Sequence, residues 1–236
     1  MFIPLKDDNP THRKPIVTIS IILVNTLIYF YSATLPQQQL RLFIAQFALI
    51  PYDIFHMTPS IPGSSFPEYL TLLTSMFLHG GLLHLGGNML FLWVFGNNVE
   101  DYLGPIKFIL FYLASGLAAA GLFILIGPNS QIPLVGASGA IAGVMGAYFV
   151  LYPRARILTL IFLFYFIRVI RIPAAIVLGF WIFYQIFMSM IDSTSQGGVA
   201  WMAHVGGFAF GWILFKIFAS RRNRGDGQRI YRLDWS

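Results

Sequence analysis

The chain has 236 residues, of which 57% are hydrophobic and 10% charged; it carries a net charge of +6 and no cysteine. Soluble domains carry about 25% charged residues, so this composition points to a membrane-embedded chain. The missing cysteines exclude disulfides, thiolate catalysis and cysteine-based metal sites.

A polar start precedes the first apolar run, Ile16 to Ala33, which has no convincing cleavage site and reads as a retained membrane anchor. Residues 34–81 follow, carrying Pro51, Pro59, Pro62 and Pro67. A solvated loop would not need Phe43, Ile44, Phe47, Leu49 and Ile50, so this connection is expected in the interface or dipping against protein. Further spans are predicted at about 82–99, 105–127, 137–152, 172–191 and 201–219, each near the roughly 20 residues that cross a bilayer. Residues 157–167 are apolar but too short to span; they read as an interfacial or re-entrant piece, since a seventh span would break the charge pattern. Arg221, Arg222 and Arg224 close the last span as a stop-transfer and lipid-headgroup cluster. No aromatic residues alternate with them as base stacking would need, so nucleic acid is not an expected partner.

With the amino terminus placed in the cytoplasm, every Lys and Arg except Arg41 falls on the cytoplasmic side. That asymmetry puts both termini in the cytoplasm, with residues 1–15 and 220–236 as tails of one membrane domain, 1–236. A bacterial or archaeal plasma membrane is the expected setting.

Three motifs carry chemistry. The fourth span opens on Gly136-Ala137-Ser138-Gly139 and the sixth on Ala203-His204-Val205-Gly206-Gly207, on the same side and at similar depth. A serine is a weak nucleophile until a hydrogen-bonded imidazole can take its proton. Gly139 and Gly143 share one helix face, Gly207 and Gly211 another, and small-xxx-small faces let membrane helices approach closely. His204 lies three residues before Gly207, on the same face. Taken singly, Ser138 reads equally as a helix cap or packing residue and His204 as a polar helix contact. Matching depth and complementary glycine faces favour chemistry for the pair.

The second span opens on His79-Gly80-Gly81-Leu82-Leu83-His84-Leu85-Gly86-Gly87-Asn88, where His84 and Asn88 project from one face. Such donors, with the Ser138 backbone N–H, suit an oxyanion. The spacing of His79 and His84 is not that of a metalloprotease, and no carboxylate falls in the adjacent half-spans, so no metal or cofactor is expected. His79 reads as a hydrogen-bonding residue at the helix start. No acidic residue is placed mid-membrane, which leaves a proton-coupled transporter without a relay and the dyad without a third acid. Glu100 and Asp101 are expected to hold neighbouring backbone or basic groups.

His84-x-x-x-Asn88, Gly136-x-Ser138-Gly139 and Ala203-His204-x-Gly206-Gly207-x-x-x-Gly211, in this order across six spans, resemble the rhomboid intramembrane serine proteases. Glu100 with Leu103-Gly104 is similar to the family's helix-end pattern. The resemblance covers about 12–220 and implies an all-α, six-helix bundle with a membrane-associated first loop. It also implies Ser138 as nucleophile, His204 as base and then acid, and His84, Asn88 and the Ser138 N–H as oxyanion hole. The fifth span and the loop at about 192–200, with Gly197-Gly198 as hinges, would gate the site. One departure is Ala142: some bacterial members have a tyrosine there, stacked on the histidine, so another group must support the ring, and Trp201 is a nearby aromatic.

The leading expectation is a serine endopeptidase acting on transmembrane proteins; the alternative is a silent relative that binds or escorts them. A single copy suffices to hold every group.

Overall fold

The computed structural model describes residues 2–59, 61, 64–163, 166–191 and 200–225. The chain is mostly helical. It runs β1 (Phe2–Asp7), α1 (Ile16–Ala33), α2 (Gln37–Phe47), α3 (Pro51–His56), α4 (Thr71–Thr74), α5 (Leu82–Leu103), α6 (Pro105–Ile126), α7 (Ser138–Leu151), β2 (Arg156–Leu163), β3 (Phe166–Pro173), α8 (Ala174–Ile191) and α9 (Trp201–Gly225). α1, α6 and α8 are each long and apolar enough to cross a membrane. The segment Glu68–Phe77 meets α5 at 81° across the break at Gly80-Gly81, and α7 and the apolar part of α9, Trp201–Ile217, are shorter.

α7 is the central helix: nearly every residue from Gly139 to Tyr148 is buried, whereas α1 and α8 turn most of their apolar side chains outward. At 14 residues it is about 21 Å long, short of the roughly 30 Å hydrocarbon layer. One of its ends therefore lies below a membrane surface.

The described residues of the apolar stretch 157–167 are strand and not a re-entrant piece. β2 and β3 pair antiparallel, and β1 pairs with β2 on its other side, giving the order β1-β2-β3. The run Ile157-Leu158-Thr159-Leu160-Ile161-Phe162 is rich in residues that suit a pleated, half-buried surface. Pro4 is tolerated because β1 is an edge strand. The amino-terminal segment is accordingly not a free tail. Asp7 is buried and accepts hydrogen bonds from Tyr148 Oη at 2.8 Å and Asn98 Nδ2 at 2.6 Å, while Asn9 Nδ2 donates to Asn98 Oδ1.

Glu100 and Asp101, at the end of α5, hold backbone. Glu100 accepts from the N–H of Val17 and Thr18 and from Thr18 Oγ1 at 2.8–2.9 Å, and so caps α1, whose own N-cap, Pro15, makes no side-chain bond. Asp101 accepts from the N–H of His12 and Arg13. Gly104, at φ +77°, and Pro105 then turn the chain into α6.

The described residues of the 34–81 connection pack against one another and against the stretch before α7. Leu49 is fully buried and pairs by two backbone hydrogen bonds with Leu134, Tyr52 N–H donates to Ser130 O, and Phe43, Phe47 and Phe66 stack edge to face. This loop grips the stretch that leads into α7. The basic residues of the carboxy-terminal cluster lie outside the described side chains, as does the tail beyond Gly225.

Candidate active site

The site is assembled where α5, α7 and α9 begin. At the start of α5, His84 and Asn88 face the same way, and both line the central cavity with Ser138 and His204. Asn88 Nδ2 lies 2.9 Å from His79 Nε2. Burial, and next the neighbouring His84, hold the His79 ring down at about 4, so it is neutral near pH 7 and Nε2 can accept from the amide. His79 thus orients Asn88.

The connection into α7 is tied by Leu134 to Leu49 and by Gly136 N–H to Ser75 O at 2.9 Å. Gly136 has φ +124°, and a Cβ there would come within 2.9 Å of the His84 ring. Only glycine satisfies both the backbone and this approach, which brings the serine's loop against His84 and Asn88. Ser138 is the first residue of α7. Its N–H has no intrahelical partner and adds the favourable end of the helix dipole.

α7 and α9 touch backbone to backbone. A Cβ on Gly207 would overlap Gly139 O and one on Gly211 would overlap Gly143 O, while one on Gly139 would lie 2.6 Å from Ala119 of α6 and one on Gly143 would strike Ser115. With the helices this close, His204 Nε2 lies 2.8 Å from Ser138 Oγ. His204 is 8% exposed, so the imidazole is withdrawn from bulk solvent and still opens on the cavity.

The cavity has a volume of about 1000 Å³. Its walls include Phe91, Phe123, Ile141 and Met145, and its polar groups gather around the Ser–His pair. Two lining residues were not singled out from sequence. Gln185 Oε1 lies 2.7 Å from His204 Nδ1, and the Trp181 ring stands beside the imidazole, tilted at 38° with a centroid distance of 5.7 Å. Both come from α8. Trp181 is thus the aromatic placed beside the imidazole where Ala142 offers none, while Trp201 packs on Tyr184. The signal for Gln185 was visible: it is the lone amide in an otherwise apolar stretch of α8. The proposed hinges Gly197-Gly198 and their loop lie outside the described residues.

Residues 67–221 match the family model described as "Rhomboid domain". The chain is 31% identical over 170 residues to "Rhomboid protein 1, mitochondrial" of Saccharomyces cerevisiae, covering 66% of this chain and 44% of the yeast protein. It is 42% identical over 80 residues to "Rhomboid protease GluP" of Bacillus subtilis, 34% of this chain and 15% of that protein. Over 94 residues it is 34% identical to "Presenilin-associated rhomboid-like protein, mitochondrial" of Mus musculus, 39% of this chain and 25% of the relative. The chain thus spans less than half the length of these relatives. Two of them are mitochondrial, so the comparisons do not bear out the bacterial or archaeal plasma membrane expected above. They do support a multi-pass membrane protein.

Proposed function

Because the chain belongs to the rhomboid family, we propose that it is an intramembrane serine endopeptidase that hydrolyses peptide bonds in or beside transmembrane segments of other proteins. The observation that carries this reading is the 2.8 Å contact of Ser138 Oγ with His204 Nε2 on the wall of an open cavity. Ser138 Oγ attacks the scissile carbonyl while His204 Nε2 takes its proton. The oxyanion is met by the Ser138 N–H and the Asn88 amide, with His84 beside them. The C–N bond then breaks as His204 returns the proton to the leaving amine. Water entering the cavity, deprotonated by the same nitrogen, attacks the acyl-serine carbon; the C–Oγ bond breaks, His204 returns the proton to Ser138 Oγ, and the second product leaves as a carboxylic acid.

A substrate helix satisfies its own backbone hydrogen bonds and must unwind before attack. Segments with small or helix-breaking residues near the cleaved bond are therefore the preferred substrates. The basic residues near the sheet support a cytoplasmic setting for that side, with both termini there and the site opening opposite.

The test is incubation of the purified protein and Ser138→Ala with single-pass membrane proteins in proteoliposomes, with cut sites read by mass spectrometry. Wild type cuts and carries a serine-directed fluorophosphonate label; the variant, with unchanged thermal unfolding, does neither. Cleavage by Ser138→Ala at the wild-type rate overturns the proposal. Binding of membrane proteins by an unlabelled, uncutting wild type favours the escort alternative.

A further inference from the structure

His204 has two polar partners, and the second belongs to neither helix of the dyad. Gln185 is 4% exposed, on a helix whose buried residues are otherwise only Ala174 and Leu178. A buried amide is costly unless it is hydrogen-bonded. This one meets His204 Nδ1 through Oε1 at 2.7 Å. An amide oxygen can only accept, so Nδ1 carries the hydrogen and Nε2 presents its lone pair. Ser138 Oγ lies 2.8 Å from that nitrogen and donates to it. Trp181, one turn earlier on α8, stands tilted beside the same ring and reaches Phe208 of α9.

We propose that Gln185 is a positioning residue for the Ser138–His204 pair: α8 supplies the acceptor that fixes the tautomer and heading of the imidazole. This rests on the endopeptidase reading and adds a third, uncharged member to its dyad. It also couples the site to α8. Displacing that helix removes Gln185 and Trp181 from His204 together, so the base is set for reaction only while α8 is seated. With no tyrosine at Ala142, α7 offers the ring no aromatic face of its own at that position.

The experiment compares wild type, Gln185→Leu, Gln185→Glu and Ser138→Ala in proteoliposomes with a cleavable transmembrane reporter. Gln185→Leu should lower kcat about 10²-fold, the scale of a misplaced catalytic group, with KM within about two-fold. A residue that merely contacts substrate in the cavity would change KM instead. Gln185→Glu should restore most of the kcat that Gln185→Leu loses and move the acid limb of kcat/KM to higher pH, because a carboxylate at Nδ1 favours the imidazolium. The other titratable group acting on this ring, His84 on α5, is unchanged in both variants. Histidine ring ¹⁵N shifts give a readout independent of turnover: the Nδ1–H form in wild type, mixed tautomers in Gln185→Leu. Wild-type kcat in Gln185→Leu, an unshifted limb in Gln185→Glu, or an unchanged tautomer overturns the proposal. A wild type no faster than Ser138→Ala sinks the endopeptidase reading instead, and the ¹⁵N shifts still decide the role of Gln185.

Discussion

α7 joins two ends of the molecule that treat buried polar groups in opposite ways. At its far end, Tyr148 donates to Asp7, which also accepts from Asn98, and nearby Glu100 takes three hydrogen bonds from α1. At its start, Ser138 and His204 share one bond, the imidazole's other nitrogen has one more, and all face a cavity of about 1000 Å³. Redundant bonding over large sequence separations holds the sheet end together. Single bonds beside open space leave groups free to exchange protons. The rigid end is thus the foundation of the reactive one, and substitutions at the two ends should separate stability from rate.

The strongest way to break that separation is at the glycine seam, where stability and rate depend on the same atoms. In Gly207→Val the new side chain would overlap the Gly139 carbonyl, which is backbone and cannot turn aside. α9 must shift and carry His204 with it. We expect cleavage to fall more than about 10²-fold, together with a loss of about 1–3 kcal/mol in stability; reporter cleavage and thermal unfolding in detergent measure the two. A paired experiment sharpens the contrast. Asn88→Ala should cost about 2.7–4 kcal/mol of barrier, with a stability loss confined to its one hydrogen bond to His79, about 1 kcal/mol. Glu100→Ala should do the reverse, exposing the α1 cap and costing about 1–3 kcal/mol of stability while kcat per folded molecule stays near wild type. Equal losses of rate in both variants would show that the two ends are not separable.

The same division governed what the sequence made legible. Ser138, His204, His84 and Asn88 stood out because glycines and polar residues are conspicuous in apolar spans, and the charge asymmetry set them at one depth. Gln185 was equally conspicuous in α8, but nothing local says which way an amide on a single helix faces. Trp181 looked like any lipid-facing aromatic. The sheet was hidden for a different reason. Short apolar runs such as 157–167 carry no decisive period, and β1 pairs Phe2 with Ile161 across most of the chain. Asp7 offered no sign that a residue so near the start would be buried against Asn98 and Tyr148.

Asp7 also gives the smallest and most exacting test of the holding end. Burial, more than any other influence, pushes its carboxyl above the usual carboxylate range, against hydrogen bonds from Tyr148 and Asn98 that favour the charge. The native state therefore keeps its proton to higher pH than the unfolded chain does. The sign follows: this group's contribution is greatest below the unfolded value near 3.8 and is lost as pH rises through the raised native value. One oxygen, Oδ2, accepts both bonds, so Asp7→Asn with its carbonyl in that place keeps them and removes the titration. Wild type should lose unfolding temperature relative to Asp7→Asn as pH rises from about 4 towards neutrality. Cleavage per folded molecule should not change. A gap that widens as pH falls would mean that the hydrogen bonds outweigh burial and that the carboxylate itself is what holds β1 to the bundle.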